Sequence, residues 1–469
     1  MRMQWRTKQA VLCSAVRVLL CLGLGLGLGV DLRLAVSGTA AAQVFSLPLG
    51  GLAPTDRAAF EAGRRLFHAG VARMPAGVVG PHFSATSCAG CHVADGRGSA
   101  YGLPHEPQVG FPLRFVDATP ALVFKLDAAG ASRDGPYGPQ ITGRAVAGTV
   151  ARGQPQLAYT ALRGQFGDGM AYVLRQPVYR VRQLGYGPVP DTAVVSPRLA
   201  PQMVGLGLLD AISEDDIVQG ARSQAQGTGP VRGEVSRVWD PVEEKFAVGR
   251  FGWKADTASL HHQTGLALLQ DIGVTTTRFS SASCPLHTPG RTNQPEIGDT
   301  TFLHLLDYQF GLALPRRKEL PATRKAVVER GKTLFDAAQC GSCHQSTWTT
   351  GKGWFPGMSR RTIHPYTDLL LHDMGDGLAD RRIDGVLPSV QVDGIDVADA
   401  ARRWRTPPLW GLGLIRQVNG HQQLLHDGRA RGVLEAILWH GGEANGARQQ
   451  VLAFDRAQRQ ALVAFVNSL

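Results

Sequence analysis

The chain has 469 residues, of which 43% are hydrophobic and 19% are charged, and its formal net charge is +11. This length exceeds an ordinary single domain, so two or more domains are expected. The apolar content is sufficient for buried cores and excludes a disordered chain. Basic residues are scattered without interleaved aromatic residues, which argues against nucleic-acid binding, although a positive surface can attract an acidic protein partner.

The first 42 residues have the pattern of a secretory signal peptide. Arg2 and Lys8 precede a largely apolar stretch at 11–30, and three alanines occupy 40–42. A basic start, an apolar run and a small-residue cleavage site together predict export to the periplasm. Because Arg17 interrupts the apolar run, an uncleaved N-terminal membrane anchor is the alternative. No later segment is long and apolar enough to predict a stable membrane span in the mature chain.

Hydrophobic periodicity predicts a mainly helical chain. The predicted helices lie near residues 54–68, 86–93, 212–222, 257–271, 321–341, 396–403, 431–441 and 456–468. The 57 glycines and 28 prolines indicate long loops between them, especially at 95–155 and 345–366. Such loops are typical of a protein that wraps a cofactor and has few regular sheets.

Four of the seven cysteines form two C-x-x-C pairs, each followed at once by histidine. The two copies are Cys88, Cys91 and His92, and Cys340, Cys343 and His344. Two thiols at this spacing can form thioethers with the vinyl groups of a haem, and the adjacent histidine can bind its iron. A redox disulfide or half of a zinc site is the alternative for a single pair. Two such boxes in an exported chain favour two covalently bound haem c groups.

The sequence around the two boxes repeats. Residues 61–67 (EAGRRLF) resemble residues 329–335 (ERGKTLF), and residues 201–208 and 407–414 share a Pro…Gly-Leu-Gly-Leu pattern. Internal duplication of a cytochrome c-like haem domain is the simplest account of this repetition. The predicted organisation is a signal peptide at 1–42, an N-terminal haem domain at 43–271, a linker at 272–320 and a C-terminal haem domain at 321–469.

The residue that faces the second haem from the side opposite His344 decides whether that iron has two protein ligands. An iron with two strong protein ligands passes electrons, whereas an open position can meet peroxide. His440 shares a helical face with Val433 and Ile437, which suits a ligand above a buried ring, although a histidine at a helix C-terminus is also stabilised by the helix dipole. Met374 is the other candidate ligand, with an ordinary core methionine as its alternative.

Several longer segments match a known family pattern. These are residues 251–255, 366–375, 404–413 and 438–444, together with the two haem boxes and the His-Asp-Gly-Arg run at 426–429. With them the chain resembles the bacterial dihaem cytochrome c peroxidases and methylamine-utilisation dihaem enzymes. It is more closely similar to the dihaem oxidoreductase family of peroxidase-like proteins, some of which are labelled thiol oxidoreductases. The resemblance covers nearly all of the mature chain.

In the wider superfamily the distal ligand of the second haem lies fourteen residues after the histidine of His-Asp-Gly. Counting from His426 reaches His440. The resemblance therefore favours His440 over Met374 and implies a second haem with two histidine ligands. The superfamily has methionine or tyrosine at this position, so the chain departs from its pattern there.

For the first haem, the resemblance implies a peroxide-reacting site with an open distal side and a nearby acid, and relatives also hold a calcium ion between domains. Candidate distal residues are His105, Glu106, Gln165 and Asp168, each of which has an ordinary loop or turn role as its alternative. A carboxylate there can move a proton between the two peroxide oxygens. Trp253 could line the route between the haems or be a core tryptophan. No acidic loop in the sequence supports calcium.

These observations predict an exported dihaem oxidoreductase with peroxidase-like activity. Electrons from a small donor protein, a cytochrome or a cupredoxin, would enter at the His344 haem and reduce peroxide or a similar oxidant at the His92 haem. One alternative is a pure electron carrier with both irons six-coordinate. The others are an enzyme that oxidises a partner protein and a haem-bearing sensor without turnover.

Overall fold

A computed structural model describes residues 43–70, 80–100, 113–116, 137, 140–188, 194–280, 294–316, 319–382, 385–388, 391–392 and 395–469. The predicted signal peptide lies outside these residues, as do His105 and Glu106. In the described ranges, no helix is long and apolar enough to cross a membrane.

Helices are distributed along the whole described chain. They are α1 Pro54–Ala69, α2 Cys88–Cys91, α3 Leu206–Asp210, α4 Glu214–Gln226, α5 Leu260–Ala267, α6 Asp299–Gly311, α7 Ala322–Ala337, α8 Val397–Arg402, α9 Ile415–Asn419, α10 Val433–Trp439, α11 Asn445–Ala453 and α12 Arg456–Val466. Each predicted helix is confirmed, with ends that differ by several residues. The helices α3, α6, α9 and α11 were not predicted.

Strands are short except in one hairpin. They are β1 His82–Phe83, β2 Leu113–Val116, β3 Gln140–Ile141, β4 Arg144–Ala145, β5 Gln154–Gln165, β6 Ala171–Arg182, β7 Val194–Pro197, β8 Arg237–Asp240, β9 Lys245–Val248, β10 Trp348–Thr349, β11 Thr362–Ile363, β12 Leu371–Asp373, β13 Arg381–Arg382, β14 Gln391–Val392, β15 Ile395–Asp396 and β16 Arg403–Arg405. Of the described residues, 38% are helical and 18% lie in strands, so the class is mixed and the predicted mainly α class is corrected. The difference arises because extended segments between the helices pair with one another.

One sheet contains strands from both halves of the chain. Its order is β13-β7-β2-β3, and β7 pairs antiparallel with β13 so that Val195 lies opposite Arg381. The ribbon of β12 and β16 places His372 opposite Trp404. The pairing of β7 with β13 joins the two halves, whereas β12 and β16 pair within the C-terminal half.

The hairpin of β5 and β6 extends from the N-terminal half to the last helices. Its strands pair from Gln154 opposite Arg182 to Gln165 opposite Ala171. At its tip, Phe166 is buried, and the amide of Gly167 donates a hydrogen bond of 2.8 Å to the carbonyl of Leu452. The tip is therefore anchored on the C-terminal half.

The helix that precedes each haem box in the chain crosses another helix at close range. In α1, a Cβ on Gly63 would lie 1.8 Å from the carbonyl oxygen of His304 in α6, and in α7 a Cβ on Gly331 would lie 2.0 Å from that of Ala461 in α12. Glycine is required at both positions because the crossing helices approach so closely. The helix α6 lies inside the predicted linker at 272–320 and packs on α1, which favours a later end for the N-terminal unit.

One hydrophobic core runs through both halves. It includes Phe67 and Tyr308 at the first crossing, whose rings lie 5.2 Å apart, and Phe335 and Phe465 at the second, 5.3 Å apart. Aromatic pairs at this distance contribute beyond their buried area. The shared core fixes both boxes within one body, while the predicted domain boundaries remain predictions.

Candidate functional site

Each haem box lines its own cavity. The C-terminal cavity, of about 310 Å³, is lined by Cys340, Cys343 and His344. The N-terminal cavity, of about 180 Å³, is lined by Cys88, Cys91 and His92. The two boxes thus do not converge on one site, which a four-cysteine zinc site would require.

The C-terminal box follows the helix α7, and a backbone carbonyl orients its histidine, His344. Its Nδ1 donates a hydrogen bond of 2.9 Å to the carbonyl of Tyr366, which leaves Nε2 as the nitrogen available to a metal. Burial lowers the pKa of His344 to about 4, so the imidazole is neutral. A neutral imidazole with its second nitrogen held by a carbonyl is the usual state of a metal-binding histidine.

His440 lines the same cavity, and a backbone carbonyl orients its ring in the same way. It follows the last residue of α10, and its Nδ1 donates a hydrogen bond of 2.6 Å to the carbonyl of Ala436. Burial lowers the pKa of His440, so this imidazole is also neutral and its Nε2 is available. Met374 lines the cavity as well. The structure brings both predicted ligands to one site, and the hydrogen bond of His440 favours the histidine.

A buried histidine clamp, formed by His372, Asp368 and Glu443, lies beside Cys343. The imidazole of His372 bonds Asp368 through Nε2 at 2.9 Å and Glu443 through Nδ1 at 2.8 Å. Burial opposes its charge, but hydrogen bonds with Asp368, Cys343 and Glu443 raise the pKa of His372 to about 12.

The clamp is a hydrogen-bonded group and not a metal site. Ligand atoms of Cys343, Asp368 and His372 lie within 4.8 Å of one another, yet carboxylates already engage both ring nitrogens. Sequence reasoning missed the clamp because Glu443 is distant in the chain. The only signal was that both His372 and Glu443 fall in segments that carry the family resemblance.

The N-terminal box repeats the arrangement of the C-terminal box. Ser87 caps α2 by accepting a hydrogen bond of 3.0 Å from the amide of Gly90. The Nδ1 of His92 donates a hydrogen bond of 2.7 Å to the carbonyl of Pro201, so its Nε2 is the available nitrogen. Burial lowers the pKa of His92, which keeps this imidazole neutral.

Three of the four box thiols do not have the character of reactive redox cysteines. Burial raises the pKa of Cys88 and of Cys340 to about 12, and it also raises the pKa of Cys343. Reactive cysteines need the opposite shift, toward the thiolate. Half-buried thiols beside a cavity, each pair followed by a backbone-oriented neutral histidine, fit a haem in each site.

The N-terminal cavity differs from the C-terminal one in its other side chains. Among the described residues, His92 is the only histidine that lines it. Its polar side chains include Asp256, Gln263 and Asp271, and Met203 lines it as well. Oε1 of Gln263 accepts a hydrogen bond of 2.9 Å from Thr257. This cavity therefore combines one histidine with acidic and amide groups.

Two predicted distal residues lie elsewhere. Gln165 and Asp168 are at the tip of the β5–β6 hairpin and line neither cavity. Nε2 of Gln165 donates to the carbonyl of Gly169 at 2.8 Å, and Asp168 pairs with Arg459 at 2.8 Å. The expectation that they flank the first haem is corrected, because the long hairpin carries them to α12. Where His105 and Glu106 lie is not described.

The two cavities share a wall. Trp253, Arg97 and Arg405 line both cavities, as do Pro407 and Pro408. The indole of Trp253 donates a hydrogen bond of 2.8 Å to the carbonyl of Leu199 and lies 5.2 Å from the guanidinium carbon of Arg97. Trp253 therefore lies in the wall between the two cavities and also belongs to the buried core, whereas no local pattern singles out the two arginines.

Comparison with known proteins identifies the family of the chain. None of the curated proteins compared with the chain matches it. A solved hydrazine synthase from Kuenenia stuttgartiensis, pressurised with xenon, is 14% identical with a TM-score of 0.36, covering 97% of this chain and 100% of that one. That likeness is too distant to support an argument. The family model described as "Di-haem oxidoreductase, putative peroxidase" matches residues 152–469. The chain belongs to the di-haem oxidoreductase family.

Proposed function

We propose that the chain is an exported dihaem c-type oxidoreductase with peroxidase-like activity, closed at the C-terminal haem and open at the N-terminal one. The observation that carries this proposal is the different histidine content of the two cavities. His344 and His440 both line the C-terminal cavity with Nδ1 bonded to a carbonyl. In the described part of the N-terminal cavity, His92 has no second histidine opposite it.

When bound, the two haems would supply irons that exchange single electrons and can reduce a peroxide. The residues of the chain hold and orient these groups. The four box cysteines would attach them, and Nε2 of His92, His344 and His440 would be the nitrogen ligands. In the C-terminal cavity His440 would hold the second ligand position of a bound haem and keep other ligands from it, with Met374 as the alternative residue in that role.

The N-terminal cavity is lined by side chains that can transfer a proton. Asp256 lines it, and a Cβ on Gly252 would lie 1.6 Å from its Oδ1, so this carboxylate packs against the backbone that carries Trp253. A carboxylate that lines such a cavity can pass a proton between the oxygens of a small oxidant. We assign this role to Asp256 in place of Asp168, with the Gln263 amide orienting a small oxidant.

The route of electrons follows from the positions of the boxes. Gly341 and Ser342 of the C-terminal box are exposed, whereas Ala89 and Gly90 of the N-terminal box are half-buried. A small donor protein, a cytochrome or a cupredoxin, would therefore approach the C-terminal box. Trp253, which lines both cavities, then provides a bridge between the two sites.

Duplication of one haem unit accounts for both sites. The ring of Phe67 lies 6.3 Å from that of His92, and the ring of Phe335 lies 6.5 Å from that of His344. Each phenylalanine ends the repeated segment before its box. The same spacing in both halves supports an ancestral unit of helix, box and closing helix.

The experiment that tests this function begins with haem attachment. The full chain would be produced in a host that exports it and attaches haem c, and its mass would be measured after denaturation. Two attached haems are expected for the natural sequence and one for either Cys88→Ala/Cys91→Ala or Cys340→Ala/Cys343→Ala. Reduction of hydrogen peroxide by the loaded chain with a reduced small cytochrome would then be followed. A doubly loaded chain that does not react with peroxide would contradict the peroxidase-like activity but not the haem sites.

A further inference from the structure

Tyr308 is a buried phenol close to the N-terminal haem box. It lies in α6 and is 0% exposed. Its ring lies 5.2 Å from that of Phe67, and the ring of Phe67 lies 6.3 Å from that of His92. Phe67 also lines the N-terminal cavity. One aromatic side chain therefore separates the phenol from the histidine proposed to bind the first iron, and electrons tunnel over such short distances within a protein.

The phenol oxygen contacts a partly exposed histidine, which in turn contacts a buried carboxylate. Nε2 of His68 lies 3.1 Å from Oη of Tyr308 and 3.3 Å from Oδ2 of Asp95. Asp95 is 0% exposed, and its Oδ2 accepts a hydrogen bond from Ser46, whereas its Oδ1 has no hydrogen-bond partner among the described residues. The side chain of His68 is 35% exposed. These groups thus form one connected set that leads from the core to the solvent.

The surroundings of Tyr308 keep the phenol protonated until it is oxidised. Burial and the negative charge of Asp95 hold the pKa of Tyr308 well above its ordinary value of 10. A phenol that loses an electron becomes a very strong acid, so its proton leaves at the same time and a neighbouring base is needed to accept it. His68 and Asp95 together are such a base. A tyrosine with a base at its hydroxyl group and an electron acceptor beyond its ring is suited to one-electron oxidation.

The same helix crossing in the C-terminal half has phenylalanine in place of this tyrosine. A Cβ on Gly63 would lie 2.8 Å from Cβ of Tyr308, and a Cβ on Gly331 would lie 2.7 Å from Cβ of Phe465. The two aromatic residues therefore occupy equivalent places in the two halves. Because phenylalanine packs at this place as well, the crossing does not need the hydroxyl group of Tyr308.

The base is also particular to the N-terminal half. His68 follows Phe67, whereas Asp336 follows Phe335 in the repeated segment. The side chain of Asp336 is 58% exposed and pairs with Lys332 at 2.7 Å, so it faces the solvent. Within the described residues, a phenol with a base thus occurs at the crossing beside the haem box proposed to be open and not at the crossing beside the closed one.

We propose that Tyr308 supplies one electron to the N-terminal haem site when peroxide reacts there and no reduced donor protein is present. This inference rests on the proposed function. Reduction of one peroxide to two waters consumes two electrons and two protons, so without a donor the site is left short of electrons. The O–H bond of Tyr308 then breaks. Its electron passes by way of Phe67 to the site, its proton passes to the pair of His68 and Asp95, and a neutral tyrosyl radical remains.

Freeze-quench electron paramagnetic resonance tests this inference. The haem-loaded, oxidised full chain would be mixed with hydrogen peroxide in the absence of a donor and frozen at intervals after mixing. The natural chain should give a tyrosyl radical signal, which should narrow when the chain is produced with ring-deuterated tyrosine. Tyr308→Phe should lose the signal and keep its fold, since phenylalanine fills the equivalent place in the C-terminal half. A reduced small cytochrome added before peroxide should suppress the signal, because the electrons then arrive through the C-terminal haem.

Tyr179→Phe is the matched control. Tyr179 also donates a hydrogen bond to a buried carboxylate, that of Asp427 at 2.7 Å, but it lines neither cavity. Its replacement should leave the radical signal unchanged. His68→Gln removes the base, so it should lower the yield of the radical and shift its g-values, which report the hydrogen bonding of the phenoxyl oxygen.

Three results would overturn the inference. They are a signal in Tyr308→Phe equal in shape and yield to that of the natural chain, a signal that deuterated tyrosine does not alter, and peroxide reduction by the natural chain without any radical. The last of these leaves the proposed function standing. Haems whose optical spectra do not change with peroxide would contradict the proposed function and this inference together. If Tyr308→Phe does not fold, the deuterated natural chain and His68→Gln decide, and a signal unchanged in both would overturn the role of Tyr308.

Discussion

Nη2 of Arg459 donates a hydrogen bond of 2.8 Å to Oδ2 of Asp168, and this contact joins the tip of the β5–β6 hairpin to α12. The side chain of Arg459 is 2% exposed and lies with its guanidinium carbon 3.9 Å from the ring centroid of Phe166. The hairpin of one half is thereby fixed to the last helix of the other. Asp168 has a structural role in this arrangement and lines neither haem-box cavity.

Replacement of Asp168 by alanine should lower the midpoint of thermal unfolding. The hydrogen bond from Arg459 lowers the pKa of Asp168 below its ordinary value of 3.8. A lowered carboxyl pKa stabilises the fold above that value, and the contribution is lost as the pH falls below it. The difference between the natural chain and Asp168→Ala, measured by calorimetry, should therefore shrink in acid.

The control for this substitution is Glu61→Ala, which removes a surface ion pair of 2.7 Å with Arg64. Exposed pairs contribute little, so its unfolding midpoint should hardly change. An Asp168→Ala chain with unchanged unfolding but altered peroxide kinetics would restore Asp168 as a distal residue.

Alanine at Gly63 or at Gly331 should destabilise the fold by about 1–3 kcal/mol, because overpacking forces the crossing helices apart. The added Cβ would lie 1.8 Å from a backbone oxygen in α6 and 2.0 Å from one in α12, respectively. Urea unfolding measures the change. Gly220→Ala in α4 is the control, since a Cβ there meets no atom within 4 Å. That substitution should stabilise the chain by roughly 0.5–1 kcal/mol.

Equal effects of alanine at Gly63 and Gly220 would contradict the close crossing of α1 and α6. The repeated Glu-x-Gly motif would then have no packing role, and the structural equivalence of the two halves would lose its main support.

Asp368→Asn should lower the free energy of unfolding by about 3 kcal/mol, because the buried imidazolium of His372 loses one of its two carboxylate partners. Asp368 and His372 are 2% and 1% exposed, and their side chains lie 2.9 Å apart. Asp336→Asn is the matched control, since its 2.7 Å pair with Lys332 is 58% exposed on each side. Chemical denaturation of the haem-loaded chains compares them. Equal stability of the two variants would show that the clamp does not hold the segment beside Cys343.

Much of this arrangement was predictable from local sequence. The helix before each box is predictable because residues 61–67 and 329–335 repeat one amphipathic pattern that ends in Phe67 and in Phe335. The helical periodicity of residues 431–441 and the distance from His426 single out His440, and both features depend on short stretches of chain. Local signals of this kind place an element and its exposed face.

The features that were missed depend on contacts between distant segments. The β5–β6 strands form a ribbon whose tip is buried only because Arg459 and Leu452 meet it, and neither is near it in sequence. The linker predicted at 272–320 contains the helix α6, whose position is set by its close contact with Gly63. Arg97 and Arg405 look like ordinary surface residues until the fold places both beside Trp253.

His440→Ala should open the C-terminal iron, whereas Met374→Leu should leave it unchanged. The reason is that Nε2 of His440 is free for the metal once Nδ1 bonds the carbonyl of Ala436. Optical and magnetic spectra of the oxidised, haem-loaded variants should show the low-spin signal of one haem lost in His440→Ala and retained in Met374→Leu. The reverse pattern would make Met374 the ligand and would imply a higher potential at that haem.

The most direct test of the account is low-temperature electron paramagnetic resonance of the fully loaded, oxidised chain, repeated after half reduction. A closed C-terminal iron between His344 and His440 and an open iron at His92 predict one low-spin signal with a high-spin ferric signal, the latter present at once or appearing on half reduction. Two low-spin signals that persist in both states would mean that both irons are closed. The chain would then be an electron carrier without a peroxide site.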